Sequence, residues 1–217
     1  MRSLLSSPTV TYCEQPVAGF VKRPWAALSN LAFFGAGIAI FVHGRGSLLS
    51  KLFGVTALII GTFSTIYDVT YTYGSQLLDL SGMLVFVSLL IFLNMRDLDV
   101  SAKKLLVGLT LSLGVSLSAI VAFGGYSGDI IFGLYVLAII ATEYILLKSG
   151  KHTHGKLWVI ALILFIVGFM LWIPDNKQLL CFNIGLFNGR AMFHYFAATT
   201  MYLLYRFYEL QLKERVQ

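Results

Sequence analysis

Four ionisable residues stand inside or at the ends of long apolar runs in this 217-residue chain: Asp68, Asp79, Arg190 and His194. A charged group at the centre of a bilayer costs at least about 2.5–3.5 kcal/mol, so such residues are the first candidates for chemistry. Ser64 lies four residues before Asp68, and Arg190 four before His194, which puts each pair on one helical face. A hydroxyl, two carboxylates, a guanidinium and an imidazole from three helices could form an inward-facing cluster able to ligate a metal, move a proton or pair internally. A plainer reading also exists for each. Asp68, Asp79 and Arg190 lie near helix ends, from which side chains snorkel to the interface, and Asp79 also suits its own helix dipole. His194 would then be a hydrogen-bonded core histidine.

The elements that must position these residues are membrane spans. The chain is 58% hydrophobic and 12% charged, with a mean hydropathy of +0.81, whereas soluble domains carry about 25% charged residues. That excludes a soluble globule, and four prolines exclude a collagenous chain. At roughly 20 residues per span, seven spans are expected, at about 25–43, 51–70, 76–94, 103–123, 129–148, 156–173 and 188–209. The fold class is all-α, a polytopic seven-helix bundle forming one domain over 1–217. The opening MRSLLSSPTVTYCEQP has too short an apolar stretch for a cleavable signal. The first helix is therefore expected to direct its own insertion.

The net charge of +6 and pI near 9.3 would suggest nucleic acid in a soluble protein, but here the basic residues flank spans and no nucleic-acid partner is expected. Arg2, Lys22, Arg23 and Lys177 fall on the N-terminal side. Arg45, Lys51, Arg96, Lys103, Lys104, Lys148, Lys151, Lys156, Arg206, Lys213 and Arg215 fall on the other. Four against eleven predicts a cytoplasmic C-terminus and an external N-terminus. Cys13 and Cys181 then share the non-cytoplasmic face, where a disulfide is chemically permitted and two separate thiols are the alternative. The short termini without retention signals point to a bacterial inner membrane, with the ER or Golgi membrane as the alternative.

Other polar features carry less. Glu143, close to Lys148, reads as an interfacial ion pair. Lys148, Lys151, His152, His154 and Lys156 read as a solvated loop, since His-x-His supplies only two metal ligands. Gly35 and Gly37 read as packing positions and Trp25, Trp158 and Trp172 as interface anchors. Helix seven has no central lysine, which argues against a retinal Schiff base.

Several segments resemble one family. Tyr12-Cys13-Glu14, Trp25 and Ser29-Asn30-Leu31 resemble the N-terminal signature of the alkaline ceramidases and their CREST superfamily relatives. GTFSTIYDVTYTYGSQLLDLSGML, residues 61–84, is similar to that family's Ser-x3-His segment followed by Gln-Leu-Leu-Asp. GFMLWIPDNKQLLC, residues 168–181, is similar to its Gly-Phe-x2-Trp-x2-Asp-x5-Cys stretch, and RAMFHYF to its His-x3-His final helix. The resemblance implies seven helices around a zinc ion held by three histidines, a serine and an aspartate beside the zinc-bound water, and hydrolysis of the amide of a ceramide-like membrane lipid. Ser64, Asp79 and His194 match the family serine, aspartate and last histidine. Asp68 and Arg190 stand at the other two ligand positions. The cysteines match the family's disulfide, so a Cys13–Cys181 bridge is implied. The family's calcium site is altered: Glu14 fits, but Thr11, Pro16 and Arg23 stand where oxygen ligands would be expected, so no calcium is expected.

Arginine has no lone pair to give a metal, which leaves two arrangements. In one, Arg190 turns aside and a metal binds Asp68, Asp79 and His194, with Ser64 donating to the developing oxyanion, giving a ceramidase-like hydrolase with Ser64, Asp79 and His194 as catalytic residues. In the other, Arg190 takes the position of the zinc charge and pairs with Asp68, giving a metal-free lipid-binding or scaffold protein, or a metal-free enzyme with His194 as base. This explains both substitutions with one cause, because removing a dication otherwise leaves buried carboxylates unpaired. A proton or ion pathway through the cluster is a third class, without a second polar layer to continue it.

Overall fold

The computed structural model describes residues 3–124, 127–181 and 184–216; Arg2, counted above, lies outside them, and so does the side chain of Arg215. These residues form helices α1 (Pro24–Ser29), α2 (Leu31–Gly44), α3 (Leu48–Thr70), α4 (Tyr73–Asp97), α5 (Ala102–Phe123), α6 (Ser127–Lys148), α7 (Gly155–Asn176) and α8 (Gly189–Val216), with a single 3-10 turn at Gly185–Phe187. No strand occurs among the described residues. Six stretches are long and apolar enough to cross a membrane: α1 with α2 as Pro24–Gly44, and each of α3 to α7. These match six of the expected ranges. The seventh falls on α8, whose arginines, tyrosines and His194 keep its hydropathy below that of the others.

The helix ends have local causes. Pro24 opens α1, where a missing N–H costs nothing. Ser47 caps α3 by accepting from Ser50 N at 3.2 Å, and Asn188 caps α8 by accepting from Ala191 N at 2.8 Å. Tyr71, with φ 51°, stops α3 in the left-handed region, its N–H donating to Tyr67 O.

The chain divides into two compact units. One comprises the described residues of 2–79 and 156–217. Within it α2 packs along α3 and α8, and α1 lies against both α3 and α8. Glycine permits the approach: a Cβ on Gly54 would come 2.7 Å from the Phe41 ring, and one on Gly37 3.1 Å from Leu58. Gly35, expected as a packing position, meets nothing within 4 Å. Trp158 is buried in protein, whereas Trp25 is exposed.

The other unit is Leu80–Gly155, in which α5 packs on α6. Its buried polar core corrects two expectations. Glu143 is fully buried and faces His152 Nδ1 at 2.7 Å, rather than Lys148 at an interface. His152 is buried too, with Nε2 3.0 Å from Asp97 Oδ2, so it is no solvated loop residue. The physical reason is mutual: two carboxylates from α4 and α6 need a donor, and the ring supplies one on each side.

Candidate functional site

The site lies in the unit formed by the described residues of 2–79 and 156–217. Asp68 sits in the last turn of α3 and is 0% exposed. Its Oδ1 accepts from Arg190 Nε at 2.9 Å and also from Arg23 Nη2, and its Oδ2 accepts from Asn30 Nδ2 at 2.9 Å. Arg190, one residue into α8, extends past Asp68. Its Nη2 donates to Asp79 Oδ2 at 3.1 Å and to Ser64 Oγ at 3.3 Å, while Nη1 donates to Tyr12 Oη at 3.0 Å. Asp68, Asp79, Arg190 and Ser64 are all buried, so none of them snorkels to an interface. Two guanidinium groups and two carboxylates make the cluster formally neutral, which is the condition for keeping such charges out of water.

His194 follows Arg190 by one turn of α8 and turns to α1, with Nδ1 2.7 Å from Ser29 Oγ. Phe33 and Phe193 flank its ring, with centroids at 5.7 and 6.3 Å. The remaining predicted pair, Cys13 and Cys181, is a disulfide that fastens the N-terminal segment to the chain just before α8. Tyr12, beside Cys13, is thereby held over both arginines, its ring centroid 4.3 Å from Arg23 Cζ and 4.8 Å from Arg190 Cζ.

Arg23, Asn30, Ser29 and Tyr12 were not assigned to the site from sequence. Arg23 reads there as one more loop cation, yet it is fully buried between Tyr12, Tyr67 and Tyr71, with Cζ 4.3–4.8 Å from the three ring centroids. The signal available was position: Arg23 directly precedes Pro24, and Ser29-Asn30 belongs to the N-terminal signature.

The donors do not fit the family's zinc. Asp68 spends both oxygens on cations and an amide, Asp79 is held by Arg190, His194 Nδ1 faces a hydroxyl, and a guanidinium cannot ligate. Among the described residues no group of three His, Cys, Asp or Glu side chains converges on one metal position. The donors around Glu14 do not fit calcium either. Glu14 Oε1 and Oε2 accept from the N–H groups of Trp25 and Ala26 at 2.8 and 2.9 Å, and so cap α1 from eleven residues upstream. Burial raises the Glu14 carboxyl above the ordinary range, and those two N–H groups and the Arg23 charge pull it back.

An all-helical integral membrane protein with a buried ionic cluster between its first helices and its last is the class these features define. The chain matches the family model described as Ceramidase over residues 6–215, and it belongs to that family of ceramidase-like hydrolases. No curated protein sequence matches it significantly.

Proposed function

We propose that this ceramidase-family member takes a ceramide-type membrane lipid at the site of Ser64, Asp79 and His194 and carries arginine–carboxylate pairing in the position of the metal. In this reading it is a lipid-binding protein without metal-dependent amide hydrolysis. One observation carries it: Arg190 spans from Asp68 to Asp79, the two carboxylates a substitute metal set would require. A dication entering there would have to expel a buried guanidinium from a site already neutral, and separating such pairs is costly.

The reading includes seven spans with the N-terminus outside. Six stretches long and apolar enough to cross a membrane lie between Cys13 and Cys181, and an even number of crossings would return the chain to the face it left, in keeping with the disulfide. At about 1.5 Å per residue, the 28 residues of α8 are longer than the roughly 30 Å core. Its Arg190, His194, Thr200 and Gln211 are buried in protein rather than turned to lipid. Removing the buried Arg23 from the loop count leaves eleven basic residues against three, which supports a cytoplasmic C-terminus.

Family membership favours a second reading, a hydrolase whose metal binds Asp68, Asp79 and His194 after Arg190 swings aside. Elemental analysis of protein purified without added zinc, paired with a fluorescent short-chain ceramide, separates the two. Saturable binding without zinc and without released fatty acid is expected. Stoichiometric zinc with chelator-sensitive fatty-acid release would establish the hydrolase and overturn the first reading.

A further inference from the structure

Ser29 makes two contacts that a single hydroxyl proton must share. Its Oγ lies 2.7 Å from the Ala26 carbonyl oxygen and 2.7 Å from His194 Nδ1. A carbonyl only accepts, so two oxygens 2.7 Å apart are held together by the Ser29 hydroxyl proton, although the same carbonyl also accepts from Asn30 Nδ2 at 3.2 Å. The contact to His194 can then be a hydrogen bond only if Nδ1 carries the hydrogen and Oγ accepts it. A neutral imidazole has one N–H, so Nε2 holds the lone pair.

Both members are buried, and the ring is packed at tilts of 57° and 56° between Phe33 and Phe193. Ser29 closes α1, and the next residue, Asn30, donates to Asp68. The imidazole is therefore set from the same short helix that holds the ionic cluster.

We propose that Ser29 is a positioning residue that fixes His194 as the Nδ1–H tautomer, so that Nε2 accepts a hydrogen bond from the amide N–H or hydroxyl of the bound lipid. The tautomer half follows from the hydrogen bonds alone, with or without a metal. The lipid half rests on the lipid-binding reading above. Ser29 itself touches the ring and not the ligand.

The test is nitrogen NMR of the protein labelled with 15N-histidine in lipid nanodiscs, the His194 signals being those lost in His194→Gln. A protonated Nδ1 and an unprotonated Nε2 are expected without any added lipid. Ser29→Ala is expected to shift the ring toward the Nε2–H form, and Ser29→Thr to restore the original pattern. A wild-type ring protonated at Nε2 or at both nitrogens overturns the proposal, and needs no variant to be seen. An unchanged ring in Ser29→Ala overturns it as well. In a second arm, Ser29→Ala should weaken binding of short-chain ceramide by about threefold to tenfold, the scale of one hydrogen bond. Unchanged affinity despite a shifted tautomer overturns the lipid half. Absence of ceramide binding to wild-type protein, with the expected tautomer, sinks the lipid-binding reading and leaves the tautomer assignment standing.

Discussion

Arg23 and Arg190 converge on a single oxygen, Oδ1 of Asp68, from opposite ends of the sequence. Two like charges sharing one acceptor repel unless something lies between and around them. The Tyr12 and Tyr67 rings do so, each within 5.0 Å of both guanidinium carbons, presenting π-faces that attract cations. Asp79 supplies the second anion through Arg190.

This arrangement fixes which carboxylate depends on which arginine. Arg190→Ala removes the partner of Asp79 but leaves Asp68 paired with Arg23, and breaking a buried pair costs about 3–5 kcal/mol. Adding Asp79→Asn should therefore recover much of the lost thermal stability, whereas adding Asp68→Asn should lower it further by stranding Arg23. Thermal unfolding in detergent of the three single variants, Arg190→Ala, Asp79→Asn and Asp68→Asn, and of the two doubles checks this, and additive losses in both doubles would reject the pairing scheme.

Restoring the family's histidines should need more than two changes. In the variant Asp68→His with Arg190→His, Arg23 keeps its charge, loses its anion and faces any incoming dication. The triple variant with Arg23→Gln is expected to bind zinc at least about tenfold more tightly than the double, a range typical of groups just outside a metal's ligands. Isothermal titration with zinc on the two proteins decides; equal affinity would mean that Arg23 is electrostatically irrelevant.

Reduction of Cys13–Cys181 should lower stability by about 2–4 kcal/mol, as loss of a native disulfide does. It should also free Tyr12 from Arg190. In sealed vesicles the reduced thiols should react with a membrane-impermeant maleimide only from the non-cytoplasmic face. Labelling from the cytoplasmic face would reverse the proposed orientation.

His152 gives a pH dependence of defined sign. Burial works against its imidazolium, but the hydrogen bonds to Asp97 and Glu143, and their charges, raise its pKa above the ordinary value. Arg96, 3.4 Å from Asp97, and Lys151, which donates to the Asp97 carbonyl, are the neighbouring cations. A raised folded-state pKa adds stability that is complete below the unfolded value, about 6.5, and is lost as pH rises through the folded value. The melting temperature of the wild type should fall across that alkaline window relative to His152→Gln. A parallel pair of curves would refute the assignment.

Much of this was legible in the sequence because membranes make charge conspicuous. Asp68, Asp79 and Arg190 stand out against apolar runs, and four-residue spacing puts Ser64 with Asp68 and Arg190 with His194 on one helical face each. The six apolar stretches were legible for the same reason, while the polar content of α8 dilutes its signal because that content faces protein. Arg23 was hidden because a cation beside a span reads as a topological signal, and only the fold reveals the tyrosines around it. Ser29 and Asn30 carry no charge, so nothing in composition distinguishes them from packing residues. Glu143 and His152 are nine residues apart with a helix end between them, a separation no periodic pattern predicts.

The ribosome delivers the members of the ionic cluster in a fixed order. Arg23 is made 45 residues before Asp68, so the carboxylate of α3 is synthesised with a partner cation already in the chain. Arg190 appears 122 residues after Asp68, and Cys181 reaches Cys13 only after 168 residues of chain. The Arg23–Asp68 pair, 45 residues apart, is therefore complete in the chain long before the cation that bridges Asp68 to Asp79.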